Sequence, residues 1–482
     1  MAAQTTSVVR AHVGLSVLYA LSRAALALAG LPFRFDLDWM WLADPADLRD
    51  RLFETLFYFH AFPPGMDLLT GMLLELGGAR PERLAMWLFW ALGLVLVNAL
   101  FALGRAAGLS TRAAFGLALA FALSPPAIYF EHLYLYEWPV ATMLCLAAAA
   151  FHCAVRNGST AAWAAFFTLC AAIGLTRSTF HLAWFALMIG AALWAADRPR
   201  RGRALAAAAL PSAAVLSLYL KNLLVFGTFA ASSFGPASFH LVTVDRLPRD
   251  VRDQWIRDGR LSPFAAVSAY APPREYARFF ATPDRPGWPP QVTRLEHVAV
   301  HAPNFNHWWL IEVHRARSAD VRRYFRERWF EYPSTVLAGL QDYFGPSTSW
   351  HPRAGLPGAP HAGHREVLGA WETAYNRVMH TLPVAPVGVY AALPVVWMWT
   401  IWRARALARS GVRGERARGA VLAFLAFQVL YVTAASTMLT FLESARYRFQ
   451  IEPAIWVLAT CAMADLWRAR QRVSPPGQNL HP

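Results

Sequence analysis

Apolar runs of membrane-crossing length recur along most of this chain, and they constrain its fold more than any other feature. A helix of about 20 apolar residues spans a bilayer because all its backbone polar groups are satisfied within the segment. Such runs fall at about 12–31, 82–104, 112–129, 138–155, 160–176, 178–196, 203–224, 382–402, 418–440 and 449–467. Of 482 residues, 56% are hydrophobic, and mean hydropathy is +0.30, where a soluble chain of this length would be more polar. The expectation is an all-α polytopic membrane protein with about ten transmembrane helices. The first run continues into a loop without a small-residue cleavage site, so it reads as an uncleaved span.

Net charge is +15, and the basic residues concentrate in short connections. Arg10, Arg105, Arg112, Arg156, Arg198–Arg203, Arg403–Arg418 and Arg468–Arg472 all fall on one side if there are ten crossings. That is the positive-inside pattern, which places both termini in the cytoplasm of a cell inner (plasma) membrane protein. The charge therefore needs no nucleic acid, and no nucleic-acid-binding signature is present. Cys145, Cys153, Cys170 and Cys461 lie in apolar runs and read as small core residues rather than a disulfide framework.

Three regions follow. Residues 1–224 form an N-terminal transmembrane module with a long first extracytoplasmic loop at 31–80. Residues 225–381 form a large extracytoplasmic cap, and 382–482 the C-terminal spans and a cytoplasmic tail. Within the cap, 319–344 interleaves arginines with Tyr324, Phe325, Trp329 and Phe330, which suits a headgroup-level helix or an ordinary cap helix. After Pro63-Pro64, the segment 65–78 is apolar but too short to cross, and reads as a surface helix ended by Gly77-Gly78.

Candidate chemistry centres on the first loop. Asp36 and Asp38 stand one residue apart just beyond the first span, and extended backbone would point both the same way. Such a carboxylate can deprotonate an acceptor hydroxyl. The bland alternative pairs Asp36 with Arg34 and uses Asp38 to cap the next helix. Arg177, Lys221, Arg446 and Arg448 lie at span ends on the same face, where they could stabilise a departing phosphate or simply snorkel to headgroups. Lys221 is the only lysine in the chain, and a lysine surviving an arginine-biased composition is a candidate point charge. Glu131, His132 and Glu137 fall in the second loop and could orient a sugar. Arg23 lies inside the first span and needs a partner there. His297 and His301 have zinc spacing but lack the glutamate of a zinc-protease helix. Asn157-Gly158-Ser159 is a glycosylation sequon placed on the cytoplasmic side.

The order of short motifs resembles the GT-C superfamily of polytopic glycosyltransferases, in its protein mannosyltransferase and aminoarabinose transferase branch. Asp36-Leu37-Asp38 matches the acidic motif of the first loop. His60-Ala61-Phe62-Pro63-Pro64 is similar to the His and Pro-Pro that end that loop. Glu137-Trp138-Pro139 and the stretch SARYRFQIEP at 444–453 resemble the entries to two later spans.

The resemblance implies an inverting transfer of a sugar from a polyprenyl-phosphate donor to an extracytoplasmic lipid, glycan or protein acceptor. Asp36 or Asp38 would be the base, and Arg177, Lys221, Arg446 and Arg448 would bind the donor phosphate. His60, Glu131, His132 and Glu137 would contact substrate. No cofactor is required, although the Asp36–Asp38 pair could hold Mg²⁺ or Mn²⁺. The alternatives are a transporter or flippase of lipid-linked saccharide, for which internal repeats are not visible, and a non-catalytic GT-C-like membrane protein.

Overall fold

The computed structural model describes residues 2–349, 361–380, 388–440 and 443–473. Parts of the expected span at 382–402 and of the 441–448 loop lie outside these residues. Among them the architecture is all-α and polytopic, and each of the ten apolar runs holds a helix. Five helices are long and apolar enough to cross a membrane: Thr6–Leu28, Pro81–Ala106, Glu137–Asn157, Arg198–Phe226 and Arg413–Leu439.

A sixth apolar run, expected as one helix over 112–129, is broken into Thr111–Ala122 and Pro125–Glu131 with a bend of 58°. The cause is Pro125-Pro126, which cannot donate backbone hydrogen bonds and instead start a new helix after Ser124. Thr160–Thr176 and Leu182–Ala195 are shorter, at 17 and 14 residues. Between them runs a connection of residues 177–181, longer than the tight turn expected at Thr176-Arg177. Leu393–Ala408 and Glu452–Val473 complete the set. Cys145, Cys170 and Cys461 are buried as expected, whereas Cys153 is exposed near the Asn157 end of its helix.

Helix ends sort onto two faces. On one, Arg416 and Arg413 reach Asp197 at 3.0 and 3.8 Å, Arg403 reaches Asp465 at 3.3 Å, and Arg418 donates to the Ala107 carbonyl at 2.7 Å. These are the arginine-rich connections, gathered in space as the sequence placed them. On the opposite face the first and second loops meet. Arg34 donates to the His132 carbonyl at 2.8 Å and accepts from the Tyr134 amide at 2.9 Å, an isolated parallel bridge.

The first loop folds into three short helices, Pro45–Asp50, Leu52–Tyr58 and Gly65–Leu76. The last buries Asp67, Thr70 and Leu73 and turns Leu68, Met72 and Leu76 outward at helical spacing. It ends at Gly77, and Gly78 follows at φ 54°. The loop shares one apolar core with residues beyond 225: Ala43, Leu48, Phe59 and Ala61 pack with Phe234, Tyr276, Trp309 and Val313. Polar clasps tie the same parts together. Asp44 caps the Pro45–Asp50 helix through the Ala46 amide at 3.0 Å and also accepts from the Val298 amide. Arg294 lies 3.4 Å from Asp47. Residues 234–313 thus clasp the first loop through both apolar and polar contacts.

Candidate functional site

Four segments converge on the face where the loops meet. They are the first loop at Trp41, the second at Tyr136-Glu137, the connection at Arg177, and the Ser444–Phe449 helix. Arg177 follows the Thr160–Thr176 helix, whose end is set by close backbone packing. A Cβ on Gly65 would stand 2.5 Å from Thr176 Oγ1 and 2.8 Å from the Leu175 carbonyl. Only glycine lets the first-loop helix seat there.

The Arg177 guanidinium is sandwiched between the rings of Tyr136 and Tyr447, at 4.0 and 4.2 Å. It is 6% exposed, and its Nε and Nη2 are buried without a hydrogen-bond partner among the described residues. Beside it, Arg446 pairs with Glu137 at 3.2 Å and with Glu443 at 3.0 Å, over Trp41 at 5.2 Å. Arg446 is thus ion-paired with acids, whereas Arg177 stacks between two rings, with Glu137 acting on it only from beyond ion-pair distance among the described residues. A buried cation without a carboxylate is costly, and is one signature of a binding site.

Arg177 forms the wall between two cavities. The smaller is lined by Trp41, Phe62, Pro63, Met66 and Tyr136. The larger, about 670 Å³, has Arg177, Ser178 and Tyr447 at one end. Its other lining includes apolar Leu182, Ala183 and Ala186 of one helix and Ala435 and Leu439 of another. Phe234, Ser238 and Tyr270 cover it from the cap side.

The other expected site residues distribute differently. Asp36 lies 4.0 Å from Arg34 and is partly exposed; neither Asp36 nor Asp38 lines these two cavities. Asp38 is followed by Trp39, which stacks on Trp41 at 4.8 Å, and Trp41 in turn lies under Arg446. The next helix is capped by Asp44, not by Asp38.

Glu131 is buried against Arg23, whose Nη2 is 2.5 Å away, and accepts from Tyr19. This supplies the partner that Arg23 needed. His132 Nδ1 stands 2.9 Å from the Ile128 carbonyl. Arg448 pairs with Glu452 at 3.1 Å, donates to the Tyr343 carbonyl, and lies over Tyr390 at 4.3 Å. Lys221 donates to the Phe59 carbonyl at 2.5 Å. His60 is buried, with Nδ1 2.9 Å from Ser233 Oγ and Nε2 3.0 Å from the Asn306 carbonyl. Burial, and then the charge of Lys221, push its pKa down to about 3.

The structure therefore brings together Arg177, Arg446 and Glu137, and it seats Arg448, Lys221, His60 and Glu131 in contacts of their own. Tyr136 belongs to the second loop expected to orient a sugar, but its place with Tyr447 and Trp41 in the walls around Arg177 and Arg446 shows only in the fold. No cluster of three or more His, Cys, Asp or Glu suited to a metal occurs among the described residues. Asp36 and Asp38 supply two carboxylates.

No protein-family model matches this chain, and no curated protein matches it. Among solved structures it is similar to the archaeal oligosaccharyltransferase AglB from Archaeoglobus fulgidus in complex with an inhibitory peptide and a dolichol-phosphate. The TM-score is 0.40 at 15% identity, over 98% of this chain and 52% of that one. The apo form of the Archaeoglobus fulgidus oligosaccharyltransferase is similar at TM-score 0.38 and 14% identity, over 98% and 53%. This chain spans about half the length of either.

Proposed function

We propose that the chain is an integral membrane glycosyltransferase of GT-C type, taking its sugar from a polyprenyl-phosphate donor. The observation that carries this reading is Arg177. It is a buried guanidinium whose Nε and Nη2 have no hydrogen-bond partner, and which has no carboxylate within ion-pair distance, among the described residues, with an amphipathic cavity of about 670 Å³ beside it. A phosphate at the Arg177 end would satisfy those donors through charge-assisted hydrogen bonds, with Ser178 and Tyr447 adjacent. The apolar side along Leu182, Ala186 and Leu439 suits a prenyl chain. A ligand with a charged head and an apolar tail answers both ends of this space.

In the proposed reaction Asp36 or Asp38 takes the proton from an acceptor hydroxyl. The freed oxygen attacks the anomeric carbon from the face opposite the phosphate, and the C–O bond to phosphate breaks with inversion. Arg177 stabilises the charge that develops on the leaving phosphate. Arg446, fixed by Glu137 and Glu443, holds Trp41 and Tyr136 in place around it. The active face is extracytoplasmic, and both termini are cytoplasmic. A divalent ion at Asp36 and Asp38 is a separate part of the proposal, checked by transfer with chelator and with added Mg²⁺ or Mn²⁺.

The test is transfer from a polyprenyl-phosphate sugar by the purified protein in lipid. Arg177→Ala is expected to lower kcat by about 10²–10³-fold, as for loss of one transition-state donor. Arg177→Lys should recover only part, since a point charge does not replace the planar fork. Of Asp36→Asn and Asp38→Asn, the variant lacking the base should fall by about 10²–10⁴-fold. Wild-type rates in Arg177→Ala would remove the phosphate assignment. Wild-type rates in both aspartate variants would remove the base.

A further inference from the structure

A third cavity, of about 530 Å³, lies between the Leu182–Ala195, Leu393–Ala408 and Arg413–Leu439 helices, toward the arginine-rich face. It shares two helices with the space beside Arg177 but occupies their opposite ends: it begins at Leu430, whereas the other begins at Tyr431. Its floor is made by small residues, Ala423 and Ala426, which open a groove between the helices. Phe427 and Leu430 form one apolar wall, and Trp397 another, its indole donating to the Ala426 carbonyl at 3.0 Å. Trp194 closes the mouth and is 60% exposed.

The polar end of the groove is basic. Arg405 and Arg409 both line it and are exposed. Four residues apart on one helix, they project from the same side. Three neighbouring arginines of this face are paired with acids: Arg403 with Asp465 at 3.3 Å, and Arg413 and Arg416 with Asp197. Among the described residues no carboxylate lies within ion-pair distance of Arg405 or Arg409. The groove thus combines an apolar trough walled by Trp397, Phe427 and Leu430 with the guanidinium groups of Arg405 and Arg409 at one end. Its volume holds acyl-chain segments but not two turns of a helix about 10 Å across.

We propose that this groove is a binding site for an anionic phospholipid of the leaflet on the arginine-rich face. The headgroup phosphate would engage Arg405 and Arg409, and an acyl chain would lie over Ala423 against Trp397 and Phe427. Basic pockets between membrane helices take anionic headgroups in this way. The site is separate from the Arg177 cavity and does not depend on the proposed transfer reaction.

Native mass spectrometry of the delipidated protein, titrated with phosphatidylglycerol or phosphatidylcholine of the same chains, tests the site. Wild type should take up phosphatidylglycerol at lower concentration than phosphatidylcholine. R405Q/R409Q should weaken phosphatidylglycerol uptake on the order of tenfold or more and leave phosphatidylcholine unchanged. R405K/R409K should retain most of it. Ala423→Leu, which fills the trough without touching charge, should reduce uptake of both lipids, and it decides the matter if R405Q/R409Q does not fold. Equal uptake of phosphatidylglycerol by wild type and R405Q/R409Q would overturn the proposal. So would a polyprenyl phosphate that blocks phosphatidylglycerol uptake in wild type, which would make the groove the far end of the donor's tail site.

Discussion

His60 and Asp67 show how single residues of the first loop are set by burial rather than by the chemistry their types suggest. His60 uses both ring nitrogens on Ser233 and Asn306, while its amide donates to Asn306 Oδ1 at 2.8 Å. No reading of residues near Pro63 could find a partner 246 positions away. Asp67 is fully buried, which pushes its pKa up to about 8 against the hydrogen bond from the Ala43 amide at 2.7 Å. The two groups give opposite pH dependences.

With its folded pKa near 3, His60 stays neutral while the unfolded chain takes up a proton below about 6.5, so its contribution is lost as pH falls from about 6.5 toward 3. Asp67 holds its proton when folded, so its contribution is full below about 4 and lost as pH rises through 8. Thermal unfolding across pH should therefore show a shallower acid loss in His60→Gln. Asp67→Asn should gain on wild type above pH 8.

At the scale of elements, the decisive contacts are those that seat the first loop on the span ends. The Gly65–Leu76 helix touches the Thr160–Thr176 helix through a glycine, one residue before the guanidinium of Arg177 begins. Gly65→Ala should push the loop off Thr176, moving Trp41 and Met66 relative to Arg177. The expected outcome is a fall in kcat of about 10²-fold, the scale of a misplacement near 1 Å, with the protein still folded by thermal unfolding. A wild-type rate in Gly65→Ala would show that this contact does not position the site.

Helices were legible because apolar run length and flanking arginines report them directly. The break at Ser124 was legible too, in Pro125-Pro126, yet an unbroken apolar run of the right length outweighed it. What the sequence could not display is the bridge between Arg34 and Leu133, or the common core of Ala43, Phe59, Phe234 and Trp309. Both join segments distant along the chain, and neither leaves a periodic trace.

On the scale of the whole molecule, the arginine pattern placed helix ends on two faces, and the contacts from Asp197 to Arg416 and from Ala107 to Arg418 gather one of them. The site was legible as a region but not as a constellation. Arg177 and Arg446 were named from position, while the rings that sandwich Arg177 needed the fold. Orientation is checked by labelling. With Cys153 replaced by serine, a cysteine in place of Asn157, exposed at the arginine-rich end of its helix, should react with a membrane-impermeant maleimide in inverted vesicles and not in right-side-out ones, and a cysteine in place of Glu275 should behave oppositely. Reaction of N157C in right-side-out vesicles would invert the topology.

The buried Arg23–Glu131 pair has a consequence for how such a chain is made. Arg23 sits within the first crossing helix, and its counterion is synthesised 108 residues later. Until then that helix carries an unneutralised charge that lipid resists. The expected outcome is that Glu131→Gln weakens membrane retention of the first span during synthesis, checked by the glycosylation or protease protection of truncated chains ending before and after residue 131.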